Sequence, residues 1–166
     1  MKKILVTGAN GQLGNEMRII AKNSGDSYIF TDVNQVEGVE TIYLDITDLD
    51  AVRKCVVDNK VDVIVNCAAY TNVDKAEEDE ATAMRINAEA LSVLGSQGIR
   101  VIHVSTDYVF SGEEHKPCRE SDHTAPRTVY GHTKYQGEKR LLAVCPEAVI
   151  LRTAWLYSSF GNNFVK

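Results

Sequence analysis

Apolar residues recur along this chain in two alternating periods. Short runs rich in β-branched side chains read as strands: Lys3 to Val6, Tyr28 to Phe30, Thr41 to Leu44, Val61 to Val65, Arg100 to Val104 and Ala148 to Leu151. Between them lie segments with helical spacing. Gln12 to Lys22 carries Leu13, Met17, Ile20 and Ala21 on one face. Asp48 to Asn59 carries Leu49, Val52, Val56 and Val57, with Thr47 and Asp50 set as a capping box. A long helix is predicted from the acidic stretch at Asn72–Glu80 to Leu94. Its inner stripe is Ala83, Ile86, Asn87, Ala90, Leu91 and Leu94, in which Asn87 is the polar misfit. A last helix is predicted from Thr128 to Val144, stopped by Cys145-Pro146. Leu156 to Lys166 has no strong pattern.

Strands alternating with helices imply an α/β fold with a doubly wound parallel sheet, in strand order 3-2-1-4-5-6. The near-continuous apolar run Val61–Val65 fits a central strand covered on both faces. The 166 residues suit a single domain. A net charge of −5 offers no basic surface for nucleic acid or anionic lipid. No stretch approaches the ~20 apolar residues of a membrane span. The first apolar run is too short for a signal peptide. Cys55, Cys67, Cys118 and Cys145 lack metal-ligand or disulfide spacing and read as reduced, mostly core thiols, as in a cytoplasmic protein.

The turn after the first strand, Val6-Thr7-Gly8-Ala9-Asn10-Gly11-Gln12-Leu13-Gly14, changes the picture. A strand, a glycine-rich turn and a helix N-terminus bring unpaired amides and the positive helix end to one place, which suits a diphosphate. Gly8 fits the tight turn, Gly11 the close approach of a phosphate, and Gly14 the packing of helix on strand. The spacing is three and three, not the two and three of G-x-G-x-x-G. Asp32 ends the second strand near the ~20-residue offset at which a carboxylate meets an adenosine ribose. It also reads as a turn-forming residue. Asp45 and Ile46 follow the third strand, where a carboxylate can accept from an adenine amino group and an aliphatic side chain can cover its ring. Asn66-Cys67-Ala68-Ala69-Tyr70-Thr71 leaves a central strand with small residues, giving room for a ligand across the strand end.

Tyr130 and Lys134 stand one helical turn apart. A nearby ammonium is expected to lower a phenol pKa and make the phenol a usable acid. Thr106, at the end of the fifth strand, can bond the same substrate oxygen. Tyr135 and Lys139 repeat the spacing ~140° around the helix, so one pair at most faces a ligand. Tyr130 lies nearer the helix start and the long loop from Val109 to Arg127. Gly137 would let the helix pack closely on a neighbour. His103 reads as a strand residue, and His115, His123 and His132 as exposed ones, none with a chemical role.

Taken together, the glycine turn, Thr106 and Tyr130-x-x-x-Lys134 resemble the extended short-chain dehydrogenase/reductase superfamily. The runs Asn66–Glu78, Ser105-Thr106-Asp107-Tyr108-Val109-Phe110, Tyr130–Glu138, Arg152–Tyr157 and Gly161–Val165 resemble its dTDP-4-dehydrorhamnose reductase family, along essentially the whole chain. The resemblance implies a Rossmann-type domain and reduction of a 4-keto dTDP-sugar, dTDP-4-dehydro-L-rhamnose, by NADH or NADPH. It implies Tyr130 as proton donor, Lys134 as its electrostatic partner and ribose ligand, and Thr106 as the hydroxyl tuning the phenol. Gly8, Gly11, Gln12, Leu13, Gly14, Asp32, Asp45, Ile46, Ala68, Ala69, Tyr70 and Thr71 match cofactor positions. Thr106, Asp107 and Trp155 match sugar-nucleotide positions.

The family also has a C-terminal lobe, so these residues are expected to be the N-terminal part of a longer enzyme. Alone they are expected to bind cofactor and reduce poorly, because the sugar is not positioned. Some members dimerise through a metal held by acidic side chains. Glu16 matches one such position only, so no metal is expected, and a homodimer is expected of the full-length enzyme alone. Two alternatives share the motifs: another sugar-nucleotide epimerase or dehydratase, and a non-catalytic nucleotide-binding regulatory subunit.

Overall fold

In a computed structural model that describes residues 1–113 and 117–166, the chain forms one six-stranded parallel sheet. The elements are β1 (Lys3–Thr7), α1 (Gln12–Ala21), β2 (Ser27–Asp32), β3 (Ile42–Tyr43), α2 (Leu49–Asn59) and β4 (Val63–Asn66). There follow α3 (Val73–Glu78), α4 (Glu80–Met84), a π-helical turn (Arg85–Glu89), α5 (Ala90–Gly95), β5 (Arg100–Thr106), a 3-10 turn (Asp107–Val109), α6 (Val129–Val144) and β6 (Val149–Thr153). The strand order is β3-β2-β1-β4-β5-β6, as the alternation of elements predicts.

The order reverses between β1 and β4. Right-handed crossovers then place α1 on one face of the sheet and the later helices on the other. The main core lies under those later helices. Leu5 and Ile64 of the central strands pack with Val52, Cys55 and Val56 of α2, Leu91 and Leu94 of α5, and Leu141 of α6. The opposite face is less covered, and Val149 and Leu151 of β6 remain exposed.

Three helical expectations are revised. In α1 only Gly14 is buried, and Ile20 is 56 % exposed, because the strands this helix packs on are β1 and β2 and, among the described residues, no other helix covers it. In α2 Cys55 takes the inward place expected of Val57, which is 64 % exposed, and Leu49 is also exposed. Its cap is Asp48, whose carboxylate accepts from the Ala51 amide, while Thr47 bonds backward to Asp45. Lys60 then ends the helix in the left-handed region, at φ 54°. That turn delays the strand, so Val61 is buried but precedes β4.

The predicted single helix from 72 to 94 is interrupted twice. Asp79 leaves the helical region and caps α4, accepting from the Thr82 amide. The π turn then widens the backbone at Arg85–Glu89, burying both Asn87 and Ala88. This turn meets α6 at its closest approach. A Cβ on Gly137 would lie 2.0 Å from the Asn87 carbonyl oxygen, so the two helices meet backbone to backbone. Only a glycine permits that approach.

Gly137→Ala is therefore expected to force α6 away from the π turn and to destabilise the fold by about 1–3 kcal/mol. A urea titration with an unchanged midpoint would contradict this packing.

Candidate active site

The carboxyl ends of the strands open into a cleft of about 790 Å³. That lies within the roughly 300–1,000 Å³ range of small-molecule and cofactor sites. Gly8, Gly11, Gln12, Leu13, Asp32, Asp45, Ile46, Ala68, Ala69, Tyr70, Thr71, Tyr130 and Lys134 all line it. Gly14 does not. Its missing Cβ would meet Ala9 Cα and Gly8 O at 2.4 Å, so it packs against its own loop rather than against the strand. Thr106, Asp107 and Trp155 also lie outside the cleft lining. A second hollow of about 590 Å³ lies beside α1 and β2, lined by Arg18, Phe30 and Ile42, and contains none of these groups.

At one end of the cleft, Gly8 turns the chain at φ 63°, with Ala68 pressed against it. A Cβ there would come within 2.6 Å of the Ala68 amide nitrogen. Gly11 precedes α1 with extended backbone, and its own amide donates to Gly8 O. No side chain caps α1, so its first-turn amides are left for a ligand. Asp32 is only 7 % exposed. Its carboxylate accepts from the amides of Asn10 at 2.9 Å and Asn34 at 2.8 Å. It thus ties the glycine turn to the next loop while still facing the cleft. Asp45 Oδ1 accepts from the amide and hydroxyl of Thr47.

The floor of the cleft is fixed by Asn87. Its side chain accepts from the Tyr70 amide at 2.8 Å and donates to the Tyr70 carbonyl at 3.0 Å and to Thr133 Oγ1 at 3.1 Å. The misfit in the inner stripe is thus a fully bonded clamp.

At the other end stand Tyr130 and Lys134. The rival pair is elsewhere: the Lys139 ammonium lies 5.5 Å from the centre of the Tyr135 ring, outside the cleft lining. Tyr130 packs edge-on against Tyr108, with ring centres 5.7 Å apart. Its phenol is not activated as the sequence suggested. Burial pushes its pKa up, and the charges of Asp107 and Tyr108 add to that, while the Thr106 hydroxyl opposes it. The Lys134 ammonium is turned instead toward β5, donating to the Val104 carbonyl at 2.7 Å and lying 3.2 Å from His103 Nε2. Lys134 is 2 % exposed. Burial pulls its pKa down to about 8, against the opposing pull of Glu138.

Several participants were not singled out from sequence. Glu138, one turn beyond Lys134, is buried and accepts from Ser105 Oγ at 2.6 Å and from the Arg152 guanidinium at 2.7 Å. Arg152 thereby ties β6 to α6. The patternless tail supplies a wall: Gln12 Nε2 donates to Leu156 O, Asn163 Nδ2 donates to Gln12 Oε1, and Leu156 and Asn162 line the cleft. Trp155 has a φ of 49° and is 70 % exposed, packed edge-on against Phe164. His123 and His132 are exposed, as expected, and His115 lies outside the described residues.

A model of the RmlD substrate binding domain family matches residues 1–166. The chain belongs to that family. It is 44 % identical to a probable dTDP-4,6-dihydroxy-2-methyloxan-3-one 4-ketoreductase of Streptomyces antibioticus, over 98 % of this chain and 54 % of that protein. It is 39 % identical to the dTDP-4-dehydrorhamnose reductase of Aggregatibacter actinomycetemcomitans, over 100 % of this chain and 55 % of that one. Among solved structures, a dTDP-4-dehydrorhamnose reductase from Clostridium acetobutylicum superposes with a TM-score of 0.89 at 44 % identity, covering 98 % of this chain and 56 % of that one. One from Bacillus anthracis, in complex with NADP, superposes at 0.87 with 34 % identity, covering 99 % and 58 %. The chain thus spans about half the length of the curated RmlD-family relatives it matches.

The buried ammonium has a thermodynamic signature. The folded Lys134 pKa lies below its unfolded value of 10.5, so between about pH 8 and 10.5 the unfolded chain binds more protons and stability rises with pH. Below pH 8 the buried charge costs on the order of 3 kcal/mol. Lys134→Met is expected to flatten that rise, read as the difference between the two proteins in urea unfolding at pH 7.5 and 9.5. Parallel curves would contradict the burial of a cation here.

Proposed function

We infer that the protein carrying these residues reduces the 4-keto group of dTDP-4-dehydro-L-rhamnose, giving dTDP-L-rhamnose, with NADH or NADPH as reductant. One observation carries the reading: a single cleft joins the uncapped N-terminus of α1 to the Tyr130/Lys134 pair. The family membership supports it, as do relatives named as 4-keto-sugar reductases.

The donor set suits a dinucleotide. The amides of Gln12 and Leu13 would hold a diphosphate at the positive end of α1. Asp32 would accept from the adenosine ribose, with Asp45 and Ile46 at the adenine. Ala68, Ala69, Tyr70 and Thr71 form the floor beneath the rest. The bound cofactor supplies a hydride to the carbonyl carbon.

The oxygen of that carbonyl then gains negative charge and needs a proton. Tyr130 supplies it from its phenol. Burial keeps that phenol protonated at neutral pH, which suits a donor. Proton transfer leaves a phenolate, and Lys134 is the neighbouring cation that stabilises it. The Thr106 hydroxyl bonds the same oxygen and orients it. Asp107 and Trp155, outside the cleft lining, would contact the sugar nucleotide.

Two measurements test the reading. Tyr130→Phe should lower kcat for dTDP-4-dehydro-L-rhamnose by about 10²–10⁴-fold, followed as loss of cofactor absorbance. Retention of the wild-type rate would remove Tyr130 as the acid. Asp32→Ala should weaken NADH by roughly tenfold or more and NADPH less, because a carboxylate at the ribose favours the free hydroxyl and repels a 2′-phosphate. Equal losses would mean that Asp32 acts only by tying the two loops together.

A further inference from the structure

Thr7, Asn66 and His103 are fully buried; Thr7 and Asn66 end β1 and β4, and His103 lies at the middle of β5. They are also in register: Thr7 pairs with Asn66 across β1 and β4, and Asn66 with His103 across β4 and β5. Their side chains touch in the same order. Thr7 Oγ1 lies 2.5 Å from Asn66 Oδ1, Asn66 Nδ2 lies 2.9 Å from His103 Nδ1, and His103 Nε2 lies 3.2 Å from Lys134 Nζ. A polar line thus crosses three strands from the glycine turn to the ammonium.

A charged Lys134 fixes the sense of the hydrogen bonds at the His103 end of the line. An ammonium has three N–H donors and no acceptor, so the nitrogen facing it must be an unprotonated acceptor. A neutral imidazole with a bare Nε2 carries its proton on Nδ1. Nδ1–H then needs an acceptor, which Asn66 provides when its amide is turned by 180°. Its Oδ1 accepts from Nδ1–H, and its Nδ2 donates to Thr7 Oγ1. A protonated imidazolium is disfavoured by burial and by the adjacent ammonium.

We propose that His103 is a positioning residue for Lys134: a neutral Nδ1–H imidazole whose Nε2 accepts one ammonium N–H. The Val104 carbonyl takes a second. The third is left for the cleft that Lys134 lines. Two fixed acceptors on one strand hold the ammonium in place, so that its free N–H has a defined direction. The titratable groups set against the ammonium are His103 on β5 and Glu138 on its own helix, with Tyr130 one turn back along that helix. Glu138 is engaged by Ser105 and by Arg152 of β6. The consequence for catalysis rests on the function proposed above; the hydrogen-bond assignment does not.

The whole protein, ¹⁵N-labelled, is read first by long-range ¹H–¹⁵N correlation at pH 7, where His103 should be neutral with its proton on Nδ1. His103→Leu keeps bulk and removes the acceptor. It should lower the titration of the Lys134 ε-methylene by about one pH unit, and kcat at pH 7 by about tenfold, with little change in KM. His103→Gln, whose amide oxygen accepts, should recover most of both. An imidazolium, a proton on Nε2, or a Lys134 titration unmoved in His103→Leu would overturn the assignment. If the leucine variant does not fold, the wild-type tautomer decides. If neither NADH nor NADPH binds while His103 holds the Nδ1 proton, the functional reading falls and the assignment stands.

Discussion

The backbone contact between α6 and the π turn sets the position of everything α6 presents. With no side chain at Gly137, the helix descends onto the Asn87 carbonyl and cannot slide without a clash. From that fixed point its inner face is distributed among three neighbours. Thr133 accepts from Asn87, Lys134 reaches the end of β5, and Glu138 binds Ser105 and Arg152. Tyr130 sits one turn before Lys134, at the start of the helix where the cleft opens. Hydrogen bonds of this kind tolerate little error in distance or angle, so a loosely packed helix could not make them all at once.

The polar groups gather at the carboxyl edge of the sheet, and desolvation gives them their character. Among the described residues no buried side-chain polar atom lacks a partner, which is what a low-dielectric interior demands. The same burial acts on the two key groups in opposite directions. It favours the neutral phenol of Tyr130 and the neutral amine of Lys134, because in each case water is no longer present to solvate charge. Proximity of an ammonium alone therefore does not decide the phenol's state.

The arrangement of strands was plain in the sequence, because alternation of apolar runs and amphipathic segments admits few parallel topologies. Many residues expected at the strand ends do line the cleft, but Thr106, Asp107 and Trp155 lie outside that lining, and Ser105 and Thr153 lie within it unannounced. What was not legible depends on contacts between distant segments. Nothing in the local pattern at Arg85–Glu89 announces a π turn; the signals were Asn87 on an apolar stripe and Gly137 far along the chain. His103 looked like any residue of a buried strand, since burial on both faces erases the alternation that would show where it points. The role of the tail against Gln12 had no periodicity to reveal it. Ile20 and Val57 were placed inward by spacing alone, which cannot know how wide a surface the rest of the fold covers.

Asn87 holds Tyr70 solely through its peptide N–H and C=O, from a helix 17 residues further on. The side chain at position 70 takes no part in that grip. A substitution at position 70 can therefore change the surface offered to the cleft without shifting the path of the chain. The burden of geometry falls on Asn87, and the side chain at 70 is left free of it.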